Sequence, residues 1–194
     1  MQVPKQNQFG LRNIKHQPHL YFADIPLMPA NNLPTTGSHN IENALAALAI
    51  GHACHWPLTA MTEALKRFEP LPYRCEPLKN TGNVCWINDS KATNVAATLA
   101  AINGLANTGN IILLLGGQKK ETDFSSLIPV IKQHVKILIT FGQDGPWIAD
   151  QLKNITTQHG ATTLNNAIKL SNQLSNPEDT VLFSPACTSY DEFD

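Results

Sequence analysis

The sequence predicts an α/β protein built on a mostly parallel sheet, because from residue 71 onward short apolar segments alternate with helical stretches of about ten residues. A second observation supports this. Residues 111–115, Ile-Ile-Leu-Leu-Leu, contain no polar side chain, as a parallel strand covered on both faces requires. A third is the composition: 42% apolar and 15% charged residues balance as in a globular chain.

Taken in order, residues 1–36 carry prolines, asparagines and short apolar pieces such as Leu20-Tyr21-Phe22-Ala23. They read as loops with one or two short strands and no core of their own. Residues 40–54 are alanine-rich and strongly helix-forming, with Ser38 or Asn40 as N-cap. A second helix is expected over 57–68, with Leu58, Met61, Leu65 and Phe68 on one face. Glu69-Pro70-Leu71-Pro72 stops it and marks a domain boundary at 70/71. Strands then follow at 84–87, 111–115, 135–141 and 180–183, with helices at 94–103, 124–133, 146–153 and 164–174. Residues 71–194 are therefore expected to form a Rossmann-like domain. Residues 1–70 hold too few elements to bury a good core. The chain also stops at what reads as the capped first turn of a further helix, residues 189–194, so the sequence reads as a fragment truncated at both ends.

The bulk chemistry excludes several classes. A net charge of −1 and a pI near 6.6 give no field for nucleic acid or anionic lipid. Cys54, Cys75, Cys85 and Cys187 form no C-x-x-C pair, and the histidines no H-E-x-x-H pattern, so a metal site is not expected within these residues. The N-terminal residues lack the apolar core of a signal peptide, and the longest aliphatic run, 111–115, is too short to span a bilayer. A soluble, cytoplasmic protein is expected. No Walker A or G-x-G-x-x-G segment is present; Gly116-Gly117-Gln118-Lys119-Lys120 matches neither.

Ligands of an open parallel sheet bind outside the carboxyl ends of its strands. Three polar segments follow predicted strands: Asn88-Asp89-Ser90-Lys91-Ala92-Thr93-Asn94, Gly116-Gly117-Gln118-Lys119-Lys120-Glu121-Thr122-Asp123 and Ser184-Pro185-Ala186-Cys187-Thr188-Ser189. Parallel strands would bring Asp89, Lys91, Thr93, Lys120 and Ser189 to one edge, where lysines neutralise phosphate or carboxylate and hydroxyls add donors. Each residue also has a plainer reading. Asp89 suits a helix cap, Lys119 and Lys120 suit solvated surface, Gly116-Gly117 suits a tight turn, and Ser184 and Ser189 suit ordinary loop hydroxyls. Cys187 is read as packing rather than as a nucleophile. Asn40 and Asn43, three apart on one helical face, could read an adenine edge, although capping by Asn40 is the simpler account. Arg74 could hold a phosphate bidentately or form a surface ion pair.

Together, Gly37-Ser38-His39-Asn40 with Asn43, Leu71-Pro72-Tyr73-Arg74, the Asn88–Asn94 block, Leu115-Gly116-Gly117 with Lys120, and Ser184–Phe193 resemble the D-glutamate-adding branch of the Mur ligases. Tyr73 stands where that family usually has histidine. The resemblance implies a three-domain enzyme in which residues 1–70 are the tail of the central ATP-binding domain and 71–194 most of the amino-acid-binding domain. It implies ligation of D-glutamate to UDP-N-acetylmuramoyl-L-alanine through an acyl phosphate, with ATP and magnesium, in peptidoglycan synthesis. By motif position, Asn40, Asn43, Arg74, Asp89 and Lys91 would serve the nucleotide side, with Arg74 and Lys91 nearest the chemistry. Thr93, Lys120, Ser189 and the backbone of Tyr190 would hold D-glutamate. The expected partners are these small molecules, with no nucleic acid, no membrane and a single copy of the chain. These residues alone are expected to be inactive. The competing readings are another Mur or folylpolyglutamate-type amide ligase, and a non-catalytic Rossmann-like binding module.

Overall fold

The computed structural model describes residues 7–35, 37–78, 82–105, 110–120 and 122–191, and the chain divides into two units, Met1–Pro70 and Leu71–Asp194. In the first unit, β1 (Phe9–Ile14), β2 (Gln17–Phe22) and β3 (Ile25–Pro29) form an antiparallel meander. Lys15 and His16 both take positive φ, 48° and 66°, as a two-residue hairpin turn of the hand that matches strand twist requires. After a 3-10 turn at Ala30–Asn32 come α1 (Ser38–Ala53) and α2 (Leu58–Lys66).

This unit corrects two expectations. It has three strands rather than one or two, and it does bury a small core: Leu20, Met28, Ala30, Leu33, Ala44, Leu48 and Met61. Prolines and histidines interrupt the alternation that marks strands, yet Leu20 and Met28 share one core with Ala44 and Leu48 of α1. The N-cap position of α1 is Gly37, at φ 97°, and not Ser38 or Asn40, which both fall inside the helix. Phe68 lies past the end of α2 and is 49% exposed, outside the apolar face assigned to it.

The second unit is a six-stranded sheet in the order β4-β5-β9-β6-β7-β8. Its strands are β4 (Glu76–Pro77), β5 (Cys85–Asn88), β6 (Ile111–Gly116), β7 (Val135–Phe141), β8 (Thr157–Gly160) and β9 (Thr180–Phe183). Only β4 runs antiparallel. Four helices cover the sheet: α3 (Val95–Gly104), α4 (Ile128–His134), α5 (Gly145–Gln151) and α6 (Leu164–Leu174). Residues 111–115 are all 0% exposed. Ile111, Leu113 and Leu115 pack with residues of α3, α4 and α5, whereas Ile112 and Leu114 pack on the α6 side. A strand alternates its side chains between faces, so an unbroken aliphatic run is what a three-layer sandwich demands of its central strand. Each such side chain contributes roughly 1.5–3 kcal/mol by leaving water.

At the strand-start end, the buried Asp179 carboxylate accepts from Lys136 Nζ at 2.8 and 3.1 Å and from the Asn176 N–H at 2.7 Å. This joins the beginning of β9 to that of β7. The sequence reading missed β4 and β8. The first has two residues, and the second, Thr-Gln-His-Gly, is a polar edge strand without an apolar signal. Of the expected helical turn at 189–194, residues 192–194 lie outside the described ones. No helix among the described residues is long and apolar enough to cross a membrane.

Candidate functional site

Because β5, β9, β6 and β7 are parallel neighbours, the segments leaving their carboxyl ends emerge side by side. Backbone hydrogen bonds then lock those segments together. Leaving β5, Asp89 N–H donates to Phe183 O (2.8 Å). Ala186 N–H, past β9, donates to Ala92 O (2.9 Å), and Gly116 N–H donates to Pro185 O (3.1 Å). Gln118 and Thr188 exchange two N–H···O bonds of 2.8 and 2.9 Å. Asp144 N–H, beyond β7, donates to Gly117 O at 3.0 Å.

Two glycines allow this close approach. Gly116 and Gly117 sit at φ 155° and 117°, and a Cβ on either would run into backbone, the Phe141 carbonyl for Gly116 and the Thr188 carbonyl for Gly117. They serve as a contact between loops, which goes beyond the tight-turn reading.

The helix cap of this edge is Asn94, whose Oδ1 accepts from Ala97 N–H at 2.8 Å. Asp89 is thereby released from capping. Its side chain points inward, 6% exposed, and accepts from Ser184 Oγ (2.8 Å) and from the Cys75 N–H (3.1 Å). Ser184 Oγ also lies 3.0 Å from Thr98 Oγ1, whose hydroxyl donates to Ser184 O at 3.2 Å. Burial holds the Asp89 carboxyl above the usual carboxylate range, against the opposing pull of the Ser184 and Cys75 bonds and of the Arg74 charge. Burial, and secondarily Asp89, push the Cys75 thiol up to about 12.

A carboxyl raised on folding keeps its proton to higher pH than in the unfolded chain. Its stabilising contribution is complete below the unfolded value, near about pH 4, and is lost as pH rises through the folded one. Wild type is therefore expected to lose stability relative to Asp89→Asn, which cannot titrate, as pH rises above about 4. Urea unfolding over a pH series that starts below that value checks this, and parallel pH dependences would refute it.

The cations divide into two kinds. Lys119 is engaged: its Nζ is 2.7 Å from Asp144 Oδ1 and 4.8 Å from the Trp147 ring centroid, and its N–H donates to Asp144 Oδ2 at 2.8 Å. The Lys119 bonds hold the Asp144 carboxyl below its ordinary range. Arg74, Lys91 and Lys120 are exposed, and none of them forms an ion pair among the described residues. Thr93 is half-buried in the same turn, its N–H donating to Lys91 O at 3.0 Å, while Ser189 and Tyr190 are exposed just past the Gln118–Thr188 pairing.

The structure thus brings Arg74, Asp89, Lys91, Thr93, Lys120, Ser189 and Tyr190 to one edge of the second unit. Asn40, half-buried, and Asn43, exposed, lie on α1 of the first unit. Sequence reasoning missed Asp144 and the inward role of Ser184 with Thr98. Asp144-Gly145-Pro146 signals a helix start, and in fact Asp144 is the N-cap residue of α5, but its side chain makes no cap bond and turns to Lys119 instead. Asp144→Ala strands the Lys119 N–H and is expected to cost about 1–2 kcal/mol, read by thermal unfolding. An unchanged midpoint would count against the tether. Among the described residues, no three His, Cys, Asp or Glu side chains are grouped to hold a metal ion.

A lysine-lined sheet edge of this topology is common to many folds, but the profile described as Mur ligase, glutamate ligase domain matches residues 73–187, more than half of the chain. The chain belongs to the Mur ligase family. Among its curated relatives, the UDP-N-acetylmuramoylalanine–D-glutamate ligase of Colwellia psychrerythraea is 42% identical over 194 residues, covering 98% of this chain and 41% of the relative. The ligase of that name from Acinetobacter baylyi is 45% identical over 172 residues, covering 86% and 38%. The chain therefore spans about two-fifths of the length of these relatives. In fold, it matches MurF from Acinetobacter baumannii with a TM-score of 0.69 at 17% identity, covering 96% of this chain and 42% of that one. The bifunctional folylpolyglutamate synthase/dihydrofolate synthase of Yersinia pestis matches with a TM-score of 0.68 at 20% identity, covering 92% and 43%. Both likenesses place this Mur ligase chain in the same α/β architecture.

Proposed function

We propose that the chain is the amino-acid-binding part of an ATP-dependent ligase that joins D-glutamate to UDP-N-acetylmuramoyl-L-alanine in peptidoglycan synthesis. One observation carries the reading: Lys91, Lys120 and Arg74, exposed and without an ion pair among the described residues, share a sheet edge with the hydroxyls of Thr93 and Ser189. D-Glutamate brings two carboxylates and must present a free amine. In this reading Lys120 faces one carboxylate, and the Thr93 and Ser189 hydroxyls with the Tyr190 backbone hold the other. Arg74 and Lys91 face phosphate oxygens, with Asn40 and Asn43 on the nucleotide side and Asp89 shaping the loop that carries Lys91.

ATP supplies the phosphoryl group that activates the alanyl carboxylate. For magnesium, the described residues offer no ligand cluster, so no step is assigned to it here. Residues 1–70 are assigned to the ATP-binding domain and 71–194 to the domain that brings the amino acid, working as a single copy in the cytoplasm. Calorimetric titration of the chain with D-glutamate tests the reading, with saturable binding expected and L-glutamate weaker. No heat from D-glutamate would overturn it.

Because the sequence has no Walker A segment, this chain alone is expected to yield no ligation product from ATP, magnesium, D-glutamate and the UDP-sugar. Product in that assay would contradict this assignment of the ATP chemistry.

A further inference from the structure

We propose that Ser184 and Thr98 are positioning residues, a buried hydroxyl pair that clasps the loop carrying Lys91 and Thr93 to the loop carrying Ser189 through the Asp89 carboxyl group. The proposal rests on the functional reading above only for its consequence in binding. Its geometry stands alone. Ser184 and Thr98 are both 0% exposed. They come from different elements: Ser184 begins the segment after β9, Thr98 sits in α3, and Asp89 opens the segment after β5.

The proton count gives the clasp its character. Three oxygen–oxygen contacts are present: Asp89 Oδ2 to Ser184 Oγ at 2.8 Å, Ser184 Oγ to Thr98 Oγ1 at 3.0 Å, and Thr98 Oγ1 to Ser184 O at 3.2 Å. Two hydroxyls supply two hydrogens. With Asp89 ionised, one contact has no hydrogen. With Asp89 protonated, its O–H donates to Ser184, Ser184 to Thr98 and Thr98 to the Ser184 carbonyl, and every contact is filled.

The other groups facing Asp89 among the described residues come from the segment before β4: the Cys75 N–H and thiol, which donate to it, and the Arg74 charge. None of them supplies the missing hydrogen to the Ser184–Thr98 contact. A neutral Asp89 also leaves the Arg74 charge uncompensated by this carboxyl, which suits an edge that receives anions.

Thr98→Val removes the acceptor that rewards the acid, whereas Ser184→Ala removes a partner of Asp89 in both of its protonation states. In the 194-residue chain, labelled at aspartate carboxyl carbons and assigned with Asp89→Asn, the Asp89 proton affinity is expected to fall about tenfold in Thr98→Val. Both variants are expected to bind D-glutamate about tenfold more weakly. A rise in Thr98→Val, or no change, overturns the clasp whatever happens to binding. A fall in a chain that binds no D-glutamate upholds the clasp and overturns the functional reading instead. Should Thr98→Val fail to fold, Thr98→Ala decides by the sign of its shift.

Discussion

Gly117→Ala is expected to destabilise the chain by on the order of 3–5 kcal/mol, a large share of the total stability of an ordinary domain. The backbone there has φ 117°, and the new methyl would meet the Thr188 carbonyl, with Cys187 Cβ at 3.4 Å behind it. Relief by local shift is blocked, because Thr188 O is already the acceptor of Gln118 N–H at 2.8 Å. Moving it would break the pairing between two of the converging segments. Gly82→Ala supplies the control. Gly82 also has positive φ, 62°, but open space around its Cβ direction, so the substitution there is expected to cost only about 1 kcal/mol. Urea unfolding of both variants separates steric overlap from backbone preference, and equal losses would show that the contact with Thr188 does not matter.

Lys120→Ala is expected to weaken D-glutamate binding by roughly 10- to 100-fold, the weight of one charge-assisted bond of about 1.5–3 kcal/mol. Lys119→Ala should change it far less, because the Lys119 ammonium already belongs to Asp144 and lies over Trp147. Adjacent residues of the same type thus predict opposite outcomes, which protects the test from a general loss of positive charge. Calorimetric dissociation constants at low ionic strength read both variants. Binding by Lys120→Ala as tight as wild type would remove this residue from the carboxylate site.

The parts of the fold legible in the sequence were those fixed by hydrophobic burial. Residues 111–115 could only be a covered strand, and β7, β9 and α6 fall where the apolar pattern put them. From those strands, the gathering of Lys91, Lys120 and Ser189 follows by topology alone. What escaped depends on directions rather than types. Nothing local says that Asp89 turns inward to Ser184, 95 positions away in the chain, or that Asp144 leaves its helix to hold Lys119. Polar β8 escaped for a related reason: an edge strand is specified by its neighbour's unpaired amides, and Thr157–Gly160 carries no apolar stripe of its own.

The Asn94 cap has a further consequence. The stretch from Asp89 to Asn94 is secured at its first residue by the sheet and at its last by a helix, so its contour length is fixed. An exposed side chain between those two points, such as Lys91, can be exchanged without moving the turn. Inserting or deleting a single residue would instead rephase the whole turn and aim Lys91 and Thr93 elsewhere. Evolution of new selectivity along this stretch is therefore expected to proceed by replacement and not by indel.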